Sequence, residues 1–124
     1  MTIAYPPELP LVYVIARYSD PDPAVVAENI QRAIRVGAEI NMTGLAWAVV
    51  PHQLGRDMED SLTPIQWYGM TRAVMRGCGA AWAVDFDTEG CAAEISDALV
   101  RSLPVGIPGL MPVRDFLAGL VVRR

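Results

Sequence analysis

Cysteine and histidine are scarce in this sequence, and their scarcity excludes two kinds of site. The two cysteines, Cys78 and Cys91, are too few for a disulfide framework and are expected to be small buried hydrophobic residues. His52 is the only histidine, and no CxxC, HxxxH or HExxH spacing occurs. A zinc site therefore has no support in the sequence. We expect neither a bound metal nor any other cofactor.

Positive charge and long apolar runs are also missing. The formal net charge is -4, and no basic stripe supplies the electrostatic attraction on which nucleic-acid binding depends. No apolar run approaches the ~20 residues of a membrane-spanning helix, and the N-terminus lacks the charged-then-apolar order of a signal peptide. We therefore expect a cytoplasmic protein with neither nucleic-acid nor membrane partners.

The sequence does contain enough apolar material for one folded domain. Hydrophobic residues make up 52% of its 124 residues and charged residues 19%, a composition typical of globular proteins. No repeat, low-complexity segment or internal linker divides the chain. We predict a single domain over residues 1–124, with a core at about 11–107 and a C-terminal helix at about 112–121.

Strand-like and helix-like patterns alternate along the chain. The run LVYVIA is apolar throughout, which is typical of a parallel strand covered by helices on both faces. The predicted strands are LVYVIA (11–16), LAWAVVP (45–51), AAWAV (80–84) and LPVGIP (103–108). A loop is predicted between the second strand and the next helix, at residues 52–62.

Helix-capping residues mark the predicted helices. Each of the first two has an N-cap residue, a proline at the first helical position and a C-terminal glycine: Asp22, Pro23 and Gly44, then Thr63, Pro64 and Gly77. Two more helices are predicted at about 89–102 and 112–121. The alternation predicts an α/β, doubly wound (Rossmann- or flavodoxin-like) parallel sheet of four to five strands with helices on both faces.

Polar residues follow the first three predicted strands. Ligands of open α/β sheets bind beyond the carboxyl ends of the strands, so these side chains are candidates for ligand binding. They are Arg17, Tyr18 and Ser19 after the first strand, His52 after the second, and Asp85, Asp87 and Thr88 after the third. Other interpretations are open for four of these residues. Arg17 could simply be solvated and His52 could have a structural role. Asp85 and Asp87 could serve as turn residues.

Glu94 lies among small residues on the helix that begins near Glu89. Gly90, Cys91 and Ala98 are its neighbours at helical spacing and permit close packing, so Glu94 is expected to face the floor of the crevice. Burial would raise the pKa of this carboxyl, whereas the helix N-terminus would lower it, and the sequence leaves both directions open. An ordinary solvent-facing glutamate is the alternative interpretation.

Several short motifs, in order, resemble those of a known superfamily. The stretches VYVIARYSDPDP…ENI, VVPHQL and TEGCAAEI resemble the nucleoside 2-deoxyribosyltransferase-like superfamily, and within it the small phage and bacterial proteins of the DUF4406 type. The resemblance covers residues 11 to about 107. It implies the same α/β fold, a small-molecule nucleoside or nucleotide as the binding partner, and a homo-oligomer (a dimer or larger) in which neighbouring subunits complete the site.

The resemblance also implies roles for individual residues. Glu94 corresponds to the nucleophile that attacks the anomeric carbon of deoxyribose, and Tyr18 to the tyrosine that positions the sugar and the nucleophile. Thr88 corresponds to the serine that binds the 5′-phosphate, with the Gly90 amide beside it at the helix N-terminus. The family's Cys-Asp reads Cys78-Gly79 here, so one acid is absent, and Asp85 or Asp87 is the candidate to replace it.

Two principal functions follow from these expectations. The first is a nucleotide N-glycosidase or deoxyribosyltransferase that cleaves the base–sugar bond of a (deoxy)nucleoside 5′-monophosphate, with Glu94 as the nucleophile. The second is a non-catalytic nucleotide-binding protein, a sensor or sponge on the same fold, which the missing acid at position 79 favours. A structural subunit with a vestigial crevice is a third possibility. Retention of Glu94 favours the first function, the N-glycosidase or deoxyribosyltransferase.

Overall fold

The computed structural model describes residues 8–122 as a four-stranded sheet flanked by helices, and the ends of the predicted domain, 1–7 and 123–124, lie outside the described residues. The strands are β1 (Leu11–Ile15), β2 (Trp47–Val49), β3 (Ala80–Ala83) and β4 (Val105–Gly106). The helices are α1 (Pro23–Met42), α2 (Pro51–Met58), α3 (Pro64–Arg76), α4 (Glu89–Val100) and α5 (Val113–Val122), with a short 3₁₀ turn at Glu59–Ser61.

The sheet confirms the predicted α/β fold class. All its strand pairs are parallel and the order is β2-β1-β3-β4, with Tyr13 of β1 opposite Val49 of β2 and Ala81 of β3. Neighbouring β1 residues point to opposite faces. Val12 and Val14 pack with α1 and α5 on one face, whereas Tyr13 packs with α3 and α4 on the other. Helices therefore cover both faces, as in a doubly wound sheet.

Side-chain caps begin three of the helices. The Asp22 carboxylate accepts a hydrogen bond from the amide of Ala24 at 2.9 Å, at the start of α1. Thr63 and Gln66 form a reciprocal capping box at the start of α3. Thr88 caps α4 through the amide of Cys91. These local interactions explain why the predicted helix starts agree with the structure.

The predicted strands are longer than those observed, and three predicted helix boundaries were wrong. Residues 52–62 were predicted to be a loop, but Pro51 begins helix α2 instead of ending β2, because proline suits the first helical position. The C-cap of α1 is Thr43 rather than Gly44, and Gly44 follows with a φ of 70° that favours glycine. Helix α4 stops at Val100, since Ser102 adopts a left-handed conformation. Only the first of these changes concerns the site, because it places His52 on a helix.

Both cysteines are buried and unpaired, as the sequence predicts. No helix in the described part of the chain is long and apolar enough to cross a membrane.

Candidate functional site

A pocket of about 350 Å³ opens at the carboxyl end of β1. The chain leaves β1 toward α1 on one face of the sheet and leaves β3 toward α4 on the other, which creates a crevice between the two connections. Seven of the nine predicted site residues line this pocket: Arg17, Tyr18, Ser19, His52, Thr88, Gly90 and Glu94. Asp85 and Asp87 do not line it. Further lining residues include Tyr13, Trp67, Tyr68, Thr71 and Glu89.

Glu94 and Tyr13 form the floor of the pocket. Tyr13 is fully buried in β1, and its hydroxyl donates a hydrogen bond to Oε2 of Glu94 on α4. Burial raises the pKa of Glu94 to about 7, although the hydrogen bond from Tyr13 opposes the rise. Burial and the nearby Glu94 charge raise the pKa of Tyr13, so the phenol keeps its proton. At neutral pH the carboxyl is therefore present in both protonation states.

The small residues around Glu94 explain how this contact forms. Cys91 and Ala98 are both buried on the face of α4 that packs against the sheet, in the same cluster as Tyr13. Without large side chains at these positions, α4 approaches β1 closely enough for the glutamate to meet the phenol. The sequence left open whether the pKa of Glu94 is raised by burial or lowered by the helix N-terminus. In the structure burial prevails and the pKa is raised.

The N-terminus of α4 lines the pocket beside Glu94. The Thr88 hydroxyl accepts a hydrogen bond from the Cys91 amide at 3.1 Å. The amides of Glu89 and Gly90 belong to the first turn, where helical N–H groups have no acceptor within the helix. Because the positive end of the helix dipole adds to these donors, an anionic group such as a phosphate fits this part of the pocket.

His52 is a buried residue that organises the loop after β1. Its Nε2 lies 2.8 Å from the carbonyl oxygen of Ala16 and 3.2 Å from that of Arg17, so Nε2 carries a hydrogen and donates it. Burial lowers the pKa of His52 despite these hydrogen bonds, which keeps the ring neutral. Nδ1 is buried with no hydrogen-bond partner among the described residues. The geometry therefore supports the structural interpretation of His52.

An aromatic wall faces the same pocket. The Tyr18 ring lies 5.7 Å from the His52 ring and 6.3 Å from the Trp67 ring, measured between centroids. Gly55 of α2 permits this packing, since a Cβ there would lie 3.0 Å from Trp67 and 3.1 Å from Tyr18. The Asn29 side chain of α1 donates a hydrogen bond to the Tyr18 carbonyl at 3.1 Å and so holds the loop after β1 in place. Flat aromatic faces of this kind stack well on nucleobases.

Asp85 is engaged in structural contacts. It is 8% exposed, and its two carboxylate oxygens accept hydrogen bonds from Arg32 of α1 at 2.6 and 3.0 Å. One of them also accepts the Arg17 backbone amide at 3.0 Å. Burial alone would raise the pKa of Asp85, but Arg32 and the Arg17 amide outweigh it and lower the pKa. Asp85 thus joins the end of β3 to α1 and to the loop after β1.

Asp87 forms an ion pair with Arg17 at the rim of the pocket. Both oxygens of Asp87 lie 2.6 Å from one terminal nitrogen of the Arg17 guanidinium. The hydrogen bond from Arg17 lowers the pKa of Asp87, so this carboxylate is ionised at neutral pH. Neither Asp85 nor Asp87 reaches the pocket. An acid at position 79, where the family pattern has an aspartate, would not reach the pocket either. Gly79 precedes β3 and therefore lies at the amino end of the strands, opposite the pocket.

Tyr13 and Trp67 are two of the lining residues that were not identified as site residues from the sequence. Tyr13 was counted only as part of an apolar strand, although a buried tyrosine hydroxyl usually needs a hydrogen-bond partner. Its alternation with Val12 and Val14 places it on the face that receives α4, and this could have pointed to Glu94. Trp67 gives no signal of a site in the sequence, since no local pattern distinguishes a tryptophan in a pocket wall from one that packs in a core.

No group of three or more histidine, cysteine, aspartate or glutamate side chains within the described residues could hold a metal ion.

No protein-family model matches the chain, and no curated protein is significantly similar to it.

Proposed function

We propose that the protein cleaves the base–sugar bond of a nucleoside or nucleoside 5′-monophosphate, with Glu94 as the nucleophile. The observation that carries this proposal is the placement of Glu94: a mostly buried carboxyl on the floor of a pocket, oriented by Tyr13 and adjoining an aromatic wall. The resemblance in sequence assigns the nucleophile to the same residue.

The chemistry requires the ionised form of Glu94. A carboxylate oxygen bonds to C1′ of the sugar as the bond from C1′ to the base nitrogen breaks, and the departing base takes up a proton from solvent. The developing oxocarbenium charge is stabilised by the same carboxylate. In a hydrolase water then attacks C1′, loses a proton to solvent and releases the Glu94 carboxylate, whereas in a transferase the ring nitrogen of a second base attacks and loses its proton. Since the pKa of Glu94 is about 7, turnover is expected to rise as the pH passes through neutrality.

The other parts of the pocket support substrate binding. The rings of Tyr18 and Trp67 offer a stacking surface for the base. The first-turn amides of α4 offer hydrogen bonds to a 5′-phosphate. Tyr13 holds Oε2 of Glu94, which fixes the carboxyl and leaves Oε1 available for the sugar.

A second candidate is a nucleotide-binding protein that does not cleave its ligand. The state of His52 favours it, because this neutral ring already donates its Nε2 hydrogen to backbone carbonyls and cannot protonate a departing base. Among the described lining residues, this is the only histidine. A binding protein needs no such proton donor, so the same pocket serves it equally well.

Release of free base tests the proposal. The purified protein is incubated with each deoxynucleoside, ribonucleoside and corresponding 5′-monophosphate, with and without a second base, and products are separated by chromatography. We expect base release from at least one substrate and a loss of at least about 10³-fold in Glu94→Gln, which keeps the shape but removes the nucleophilic charge. Glu39→Gln, an exposed position on α1, is the matched control and should retain full activity.

The outcomes separate the candidates. Exchange of the base in the presence of a second base indicates a transferase, and release without exchange indicates a hydrolase. Ligand binding without any release supports the binding protein. Release that is unchanged in Glu94→Gln would refute the assignment of the nucleophile.

A further inference from the structure

The pocket contains a cation that is already neutralised. Among the described lining residues Arg17 is the only lysine or arginine, and one terminal nitrogen of its guanidinium is bound to both oxygens of Asp87. Its Nε also lies 3.8 Å from Asp85. The remaining charged groups of the lining, Glu89 and Glu94, are acidic. A phosphorylated ligand would therefore meet, among the described lining residues, one positive side chain whose charge is already shared with Asp87, although the Nε of Arg17 has no hydrogen-bond partner there.

Arg17 is nevertheless close to where a phosphate would bind. Arg17 and the first turn of α4 line the same pocket, and the Arg17 charge opposes the rise in pKa that burial causes at the Cys91 thiol, in that first turn. A phosphate on the amides of Glu89 and Gly90 would thus compete with Asp87 for the positive charge of the guanidinium. If it won, the Asp87 carboxylate would lose its partner and lie beside a phosphate of the same charge.

We propose that Asp87 is a specificity-determining residue that competes with the 5′-phosphate for Arg17, so that the pocket binds 5′-phosphorylated nucleosides less tightly than it would with Arg17 free. The inference rests on the proposed function, because it assumes a nucleoside-type ligand in this pocket. The effect is graded, since both partners of the ion pair are substantially exposed, with 40% and 64% of their side-chain surface accessible. A phosphate can displace Asp87, but at a cost in affinity.

Calorimetric measurements of ligand binding determine this cost in affinity. All proteins carry Glu94→Gln to prevent turnover, and each nucleoside is compared with its own 5′-monophosphate, with inorganic phosphate as a further probe. Asp87→Asn should strengthen binding of the monophosphate about tenfold, the size of one additional charge-assisted interaction, and change nucleoside binding by less than about twofold. Inorganic phosphate should also bind more tightly. The gain should shrink as the salt concentration rises.

Two further variants identify the cause. Arg17→Gln combined with Asp87→Asn should abolish the gain, because the residue that is released would no longer be present. Asp115→Asn removes the same charge at an exposed position on α5, across the sheet, and should leave the ratio of the two affinities unchanged.

Each result has a distinct meaning. If nucleosides bind and Asp87→Asn leaves the ratio unchanged, or if the gain survives without Arg17, the inference is wrong and the proposed function stands. If Asp115→Asn produces the same gain, net charge rather than Arg17 is responsible, and the inference is again wrong. If no nucleoside or nucleotide binds to the single Glu94→Gln protein or to wild type, the proposed function fails and the inference fails with it.

Discussion

Asp85 and Glu94 are a buried and a mostly buried carboxyl group near the same end of the sheet, and their surroundings give them opposite properties. Asp85 accepts hydrogen bonds from the charged Arg32 and from a backbone amide. Glu94 accepts a hydrogen bond from Tyr13, which is neutral. Burial disfavours the ionised form of both groups, but only Asp85 has cationic partners that overcome this effect.

The difference shows that the position of a carboxyl group in the fold decides whether it serves structure or chemistry. A buried acid with two arginines nearby stays ionised and stabilises the junction between strands and helix. A buried acid with a phenol for a partner changes its protonation near neutral pH, which is the range in which an acid can serve chemistry. Asp85, which the sequence suggested as a ligand-binding residue, belongs to the first kind.

The largest expected effect concerns the pH dependence of stability. The folded-state pKa of Glu94 is about 7, whereas an unfolded glutamate titrates near ~4.3, so folded Glu94 retains a proton that the unfolded chain has lost between these values. Its contribution to stability is therefore full below about pH 4 and disappears as the pH rises through about 7. Glu94→Gln should match wild type near about pH 4 and exceed it at about pH 8, by up to roughly 3 kcal/mol.

Urea unfolding at a series of pH values measures this difference. Glu39→Gln, which removes an exposed carboxyl on α1, should follow the wild-type curve throughout. A difference between Glu94→Gln and wild type that stays constant with pH would show that Glu94 does not titrate abnormally, and the contrast with Asp85 would collapse.

The next largest effect tests the structural role of Asp85, the other carboxyl group in the comparison. Asp85→Asn should lower the free energy of unfolding at neutral pH by about 2 kcal/mol, because it leaves Arg32 and the Arg17 amide with a weaker acceptor. The sign is opposite to that for Glu94: the contribution of Asp85 is present above the unfolded pKa and is lost as the pH falls through its lowered folded pKa. Asp87→Asn, at an exposed ion pair, should change stability much less than Asp85→Asn does. Equal losses in the two variants would contradict the structural role of Asp85.

The sequence predicted the fold well because the relevant interactions are local. Caps such as Asp22 and Thr63 act within one helical turn, and an apolar strand such as 11–16 is recognisable from consecutive residues. The missed helix at Pro51–Met58 is the exception, since its sequence is polar and its proline fits both a strand end and a helix start.

The site was only partly predictable because its decisive contacts join distant residues. Arg32 is 53 positions from Asp85, and Tyr13 is 81 positions from Glu94. The rule that ligands bind at the carboxyl ends of strands indicated which residues gather there. It could not indicate which of the gathered carboxylates an arginine would occupy, because that depends on how α1 packs against the sheet.

The smallest effect tests the phenol itself. Tyr13→Phe removes the hydrogen bond that lowers the pKa of Glu94, so the titration midpoint of this carboxyl should move further upward, while stability falls by only about 1 kcal/mol because the carboxyl can respond by keeping its proton. Carbon-13 NMR of labelled glutamate side chains follows the titration, with the Glu94 resonance assigned by its absence in Glu94→Gln. Tyr68→Phe, on a half-exposed ring of the same pocket, should leave the midpoint in place. A midpoint that stays fixed or falls in Tyr13→Phe would mean that burial alone governs Glu94 and that its neutral partner has no influence on the reactive form.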